Sequence, residues 1–201
     1  MKKFVCLILL VAFIMTSSLA FAYDEAQKWT LGVNVSYVDP EESAADSTCY
    51  VGGNIAYDLT RYIAIGGECG YAGWNEEYDG VDYGDVSVVP LLATLIVKNP
   101  IELDECAVVP YGILGLGVCF WDYDESSALT NAGISVDMDS EFALKLGAGL
   151  DYYFTENVAL NLEGSFMWSD TTGHVDAFGT HAQVDLDGDM WMLGGGLKCR
   201  F

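Results

Sequence analysis

Met190-Trp-Met-Leu-Gly-Gly-Gly-Leu-Lys-Cys-Arg-Phe201 alternates without a break. Trp191, Leu193, Gly195, Leu197, Cys199 and Phe201 fall on one side, and Met190, Met192, Gly194, Gly196, Lys198 and Arg200 on the other. A strand sends successive side chains to opposite faces. The segment therefore presents an apolar face that ends in an aromatic residue, backed by a face of small residues and two cations.

The opposite end of the chain reads as an export signal. Met1-Lys2-Lys3 is cationic, Phe4 to Met15 is apolar, and Ala20-Phe21-Ala22 is a small-x-small cleavage site. The apolar run is shorter than the roughly 18 residues that a spanning helix needs. Residues 1–22 are expected to leave as a signal peptide, taking Cys6 with them, and residues 23–201 to form one domain.

Hydrophobic residues make up 52% of the chain although its formal net charge is -22. Beyond the signal the best apolar run, Val86 to Val97, is interrupted by Pro90, so the hydrophobicity must reside in strands. Period-2 alternation and turn signals predict eight: Lys28 to Val38, Thr48 to Leu59, Tyr62 to Trp74, Asp85 to Lys98, Val108 to Trp121, Glu141 to Phe154, Asn157 to Trp168 and Met190 to Phe201. In the first, Trp29, Leu31, Val33, Val35 and Tyr37 oppose Thr30, Gly32, Asn34 and Ser36. The fourth and fifth are less regular, and Leu92 and Ile96 would face a partly apolar interior.

Connection lengths alternate as well. The chain turns tightly between Leu59 and Tyr62 and between Phe154 and Asn157, with an intermediate connection from Asn99 to Ala107. Asp39 to Ser47, Asn75 to Gly84, Asp122 to Ser140 and Ser169 to Asp189 are long. Short turns on one side and long loops on the other are the topology of transmembrane barrels, with the short side periplasmic. An internal repeat fixes the register: residues 51–68 align without gaps on 146–163, so that Gly52, Tyr57, Thr60, Ala64 and Glu68 recur as Gly147, Tyr152, Thr155, Ala159 and Glu163. The fold class is therefore all-β, an eight-stranded antiparallel up-and-down transmembrane β-barrel.

Charge is divided between the two ends. Lys28, Arg61, Lys98, Lys198 and Arg200 sit near the short-turn ends of strands, and Lys145 points inward. The long loops and their edges hold twenty of the thirty acidic residues and no Lys or Arg. Such a rim excludes nucleic acid as its partner and favours divalent cations or basic partners. Trp74, Trp121, Trp168 and Trp191 lie at the loop ends of strands and Trp29 at the other end, which reads as two interfacial aromatic girdles.

Several stretches now carry a family resemblance: Tyr37-Val-Asp-Pro40 followed by Ser43, Val89-Pro-Leu-Leu-Ala-Thr94, Val109-Pro-Tyr-Gly-Ile-Leu-Gly-Leu-Gly117, Leu146-Gly-Ala-Gly-Leu-Asp-Tyr152 and the terminal Phe201. Together they resemble the small outer-membrane β-barrel proteins of Gram-negative bacteria, the OmpA/OmpX-type eight-stranded barrels, and within them the OmpW group. The usual Tyr-Arg-Phe ending is here Cys199-Arg200-Phe201. The resemblance implies a porin-like barrel in the outer membrane, surrounded by its lipid and lipopolysaccharide. It also implies insertion by the barrel assembly machinery, with Phe201 as assembly signal, and a narrow passive conduit for small hydrophobic molecules.

Glu68, Glu163, Lys145 and Asp151 are the candidate lumen network, in which Lys145 relieves the cost of buried carboxylates. A plug that only stabilises is as good a reading of these residues as a selectivity filter, because small barrels are filled by side chains. Asp185, Asp187 and Asp189 offer oxygen ligands for weakly bound Ca²⁺, although no closing Glu completes an EF-hand; no other cofactor is expected. His174 and His181 lie in the last loop near Ser169, Asp170 and Asp176. No His-Ser pair sits at a strand's membrane edge, so no catalytic residue is assigned and a lipid A-modifying enzyme ranks last among the functions. Five cysteines remain after processing, an odd number. Cys49 and Cys69 are expected on adjacent outward positions offset by two, Cys106 in a periplasmic turn, and the rest at the lipid face. A soluble lipocalin-like carrier would need the opposite polarity. Passive hydrophobic transport and surface adhesion or envelope maintenance through the acidic loops remain the two main function classes.

Overall fold

The computed structural model describes residues 28–40, 47–78, 81–103, 106–126, 134–177 and 180–201. The expected processing point between Ala22 and Tyr23 lies outside them. Eleven strands follow in order: β1 (Trp29–Pro40), β2 (Thr48–Asp58), β3 (Ile63–Tyr78), β4 (Val81–Lys98), β5 (Ile101–Glu102), β6 (Ala107–Glu125), β7 (Ile134–Met138), β8 (Glu141–Tyr153), β9 (Val158–Ala177), β10 (Thr180–Asp187) and β11 (Met190–Arg200). Eight of these, β1, β2, β3, β4, β6, β8, β9 and β11, pair antiparallel in that order. β11 returns to β1 along a register from Thr30 opposite Arg200 to Pro40 opposite Met190. Closure leaves the barrel without an edge, which a sheet in lipid requires.

The alternation expected of the first strand is realised residue by residue. Leu31, Val33 and Val35 are more than half exposed on the outside, whereas Thr30 and Ser36 are buried inside. In β11 Leu193 and Leu197 face out, and Met190, Met192 and Lys198 are buried.

The internal repeat becomes a repeated turn. Leu59 and Thr60 N–H groups both donate to the Ile63 carbonyl at 3.0 and 3.1 Å, and Phe154 and Thr155 do the same to Val158 at 3.2 and 3.5 Å. The hydroxyl oxygens of Thr60 and Thr155 accept from the amides of Ile63 and Val158. A threonine at this position shapes the turn locally, so the same residue recurs where the same turn is needed.

Two stretches expected as long loops are largely strand. β3 and β4 continue past the membrane level to Tyr78 and Val81, with a bulge at Glu76/Glu77. β9 runs on to Ala177, where β7 and β10 pair with its two sides. Thr171, Thr172 and Val175 on β9 and Val184 on β10 are β-branched residues that favour extended backbone, a local signal that the acidity of these segments masks in the sequence. The result is a three-stranded sheet, β7-β9-β10, standing on the outer end of the barrel.

Phe201 completes closure through its backbone: its N–H and C=O both bond Trp29 at 2.9 Å. Its ring is exposed. Deleting Phe201 is expected to slow insertion without blocking export, because it removes the last pair of the closing seam. The check is the fraction of heat-modifiable, folded protein over time on cold gels; folding at the native rate would remove Phe201 from the closing step.

Candidate functional site: the barrel interior

The outer half of the interior is an apolar cap. Trp74 and Trp121 turn inward and meet edge to face, with ring centroids 6.0 Å apart, packed with Val38, Val86, Val88, Met167, Met190 and Met192. This corrects their assignment to the outer girdle. Trp168 and Trp191 alone keep that role, flanking Phe166 at centroid distances of 4.7 Å each. At the opposite end Trp29 packs on Tyr57 at 4.9 Å. Leu92 is buried beneath the cap, as its inward parity predicts.

The cysteine expectations need two corrections. Cys119 is buried inside the cap, not at the lipid face. Cys69 pairs with Gly53, which places it four positions along from Cys49 rather than two; the two are exposed and unbridged, as is Cys199, while Cys106 is half-buried.

Below the cap lies a layer of charge. Lys145 Nζ donates to both Glu68 oxygens at 2.8 Å and lies 2.8 Å from Glu163 Oε1. Glu68 comes from β3 and Glu163 from β9, so one ammonium on β8 bridges two repeat-related carboxylates across the lumen. Tyr50 OH donates to Glu68 at 3.2 Å and Tyr111 OH to Glu163 at 2.7 Å. The arrangement has approximate internal symmetry, a tyrosine behind each carboxylate and the lysine between them. Lys145 is only 2% exposed; a lone ammonium so placed would be costly, and the carboxylates offset that cost.

Asp151 does not join this layer. It accepts from Lys198 Nζ at 2.9 and 3.1 Å and from Asn161 Nδ2 at 2.7 Å. Lys198 also lies 4.3 Å from the Tyr111 ring centroid, a cation–π contact. One step nearer the periplasm, Asp58 is bound by Lys98 and Arg200. These groups line a vestibule of about 720 Å³.

Tyr50 and Tyr111 are absent from the network expected from the sequence, as are the bonds that Asn161, inward by parity, makes to Tyr111 and Asp151. A signal for the tyrosines exists: both rings lie on glycines. A Cβ at Gly70 would stand 2.2 Å from the Tyr50 ring, and one at Gly149 2.4 Å from the Tyr111 ring. An inward tyrosine facing glycine across the wall marks where a ring folds flat against the barrel.

Outside the membrane, Asp187 and Asp189 come together with Asp170, their carboxylate oxygens all within 4.8 Å of one another. The Asp185 side chain lies outside the described residues. His174 Nε2 meets Asp139 Oδ2 at 3.1 Å, both exposed, whereas Ser169 is buried on the inward side; these two do not form a nucleophile and base.

The chain is similar in structure to the outer membrane protein OprG from Pseudomonas aeruginosa, at 18% identity and a TM-score of 0.74 over 87% of this chain and 96% of that one. It is similar to AlkL in lipid bilayers, at 16% identity and a TM-score of 0.61 over 92% and 96% of the two chains. The Escherichia coli outer membrane protein W follows at 18% identity and a TM-score of 0.58 over 89% of this chain and all of that one. No curated protein sequence matches the chain. Residues 7–201 match the outer membrane protein beta-barrel domain, the closed eight-stranded barrel agrees with it, and the chain therefore belongs to that family of the bacterial outer membrane.

Proposed function

We propose that the protein passes small hydrophobic molecules sideways, from the outer mouth of the barrel into the membrane, through the seam between β3 and β4. The observation that carries this reading is a break in that seam. Pairing runs from Ile63 opposite Val97 to Cys69 opposite Leu91 and resumes at Ala72 opposite Val88, with no pair for Gly70 or Tyr71 across from Pro90 and Val89. Lys98, of the same parity as Pro90, sends its N–H to Tyr62 beside β3. The nitrogen of Pro90 therefore faces β3 without a hydrogen to give.

The rest of the interior supports a lateral exit. An apolar molecule would meet Trp and Met side chains in the cap, of which methionines adapt their shape readily. Straight passage would require separating Lys145 from two carboxylates, which leaves buried charges unpaired. The gap beside the cap offers the cheaper way out.

The test is a reversible lock. Tyr71→Cys with Val89→Cys, in a background with the native cysteines replaced, places two thiols opposite each other at the gap, within the geometry a disulfide accepts. Entry of a fluorescent hydrophobic probe is followed in vesicles whose outer leaflet is lipopolysaccharide. The reduced protein should accelerate entry and the oxidised protein should not; equal rates in the two states would refute the lateral path.

A second reading, surface attachment, is favoured by the β7-β9-β10 sheet, a strand extension on which Asp137, Asp170 and Asp187 are exposed. A chain lacking residues 171–186 would then keep its barrel and lose attachment to basic surfaces.

A further inference from the structure

We infer that the cap contains a soft-metal site in which the Cys119 thiolate and the Met167 thioether, with Met190 beside them, bind one monovalent copper ion. Cys119 on β6 and Met167 on β9 are not chain neighbours, yet their sulfurs lie 4.0 Å apart. Two metal–sulfur bonds of about 2.3 Å, set about 120° apart, hold their sulfurs at about that separation. Met190 stands directly opposite Met167 in the β9–β11 register, and Met192 follows it on the same inward face. All four residues are buried in one cluster. Thioether and thiolate donors without carboxylate or imidazole select Cu(I) over Zn²⁺ or Ca²⁺.

One buried polar group in the cap, Trp121 Nε1, lacks a partner, and Ser169 Oγ has none besides the Cys119 thiol. They occupy the inward positions that follow Met167 and Cys119, and Ser169 lies beside the Cys119 thiol. In an apolar cap each unmade bond is a cost. A thiolate in place of the thiol would turn a weak donor into an acceptor for such groups.

Charge balance suits the surroundings. On binding, the Cys119 S–H bond breaks, its proton leaves to water, and the sulfur's electron pair forms the bond to Cu⁺; no oxidant or reductant takes part. The pair Cu⁺ and thiolate is neutral, so the apolar cap takes up no net charge.

The charge outside the cap also suits a cation. Asp170 follows Ser169, Asp189 precedes Met190, and the Ser169 N–H donates to Asp189 Oδ1 at 3.0 Å. The Asp170, Asp187 and Asp189 cluster thus stands one to three residues outside Met167 and Met190 along the chain, where its charge concentrates cations at the mouth.

The experiment uses the refolded barrel with Cys49, Cys69, Cys106 and Cys199 replaced by Ala, so that Cys119 is the remaining thiol of residues 23–201. Cu(I) is titrated without oxygen against the chelator bicinchoninate, and folding is checked by heat-dependent gel migration. One Cu(I) per barrel should leave the chelator, with sulfur-only coordination in the X-ray absorption spectrum. Cys119→Ser should weaken retention roughly 100-fold and Met167→Leu roughly 10-fold. Met167→Leu conserves volume, so it decides the matter should Cys119→Ser fail to fold. Copper left with the chelator by the four-alanine barrel, or held equally well after Met167→Leu, would overturn the site and leave the sulfur pair as packing.

Discussion

Lys145→Met should destabilise the folded barrel by about 3 to 5 kcal/mol, the cost of removing one partner from a buried ionic group. The lysine lies between Glu68 and Glu163, 2.8 Å from each. Without it two carboxylates face each other across a narrow lumen, held only by Tyr50 and Tyr111. Methionine matches the length of the lysine stem, so lost volume contributes little. The prediction is read from urea unfolding in lipid vesicles, comparing native and variant midpoints. Adding Glu68→Gln and Glu163→Gln to Lys145→Met should recover most of the loss, because no unpaired charge remains. A stability unchanged by Lys145→Met would mean that the three groups do not act as a unit, and a triple variant no better than the single one would trace the loss to packing instead.

The barrel itself was legible because period-2 alternation is imposed by backbone geometry and lipid demands an unbroken apolar face. Only a face exposed to hydrocarbon reads as Leu31, Val33, Val35 with Gly or polar residues between. The inward face was legible only in part. Trp74 shares its parity with Glu68, and Trp121 shares its parity with Cys119, so alternation already placed both rings inside. Their position at the strand ends pointed to the lipid interface instead, and parity is the stronger signal because a side chain cannot change face without a bulge. Glu68 and Glu163 are legible from the repeat and Lys145 from the alternation of its strand. Their convergence on one nitrogen is not, since it depends on how far the barrel's curvature brings β3, β8 and β9 together. Asp151 shares the inward parity of Lys145, which groups it with them, and the structure pairs it with Lys198, one layer nearer the periplasm.

The lipid-facing register leads to the other large effect. Leu162→Arg should destabilise by about 2 to 4 kcal/mol, the cost of a cation at the midplane of the bilayer. Leu162 faces outward and is 59% exposed, opposite Leu150 and Gly195 in the neighbouring strands. It lies halfway between the periplasmic turn at Val158 and the outer girdle at Trp168, so a long side chain there reaches neither interface easily. Tyr152→Arg and Trp191→Arg, nearer the two ends, should cost about 0 to 1 kcal/mol in charge transfer, because their guanidinium groups reach the headgroups. Gln183→Arg, exposed on the extracellular sheet, should stay within about 0.5 kcal/mol of the native protein. The measurement is the free energy of folding into vesicles for all four variants, plotted against depth. A profile peaked at Leu162 locates the hydrocarbon midplane on the wall of the barrel; a flat profile would mean that these faces do not meet lipid, and the membrane register drawn from the alternation would have to be abandoned.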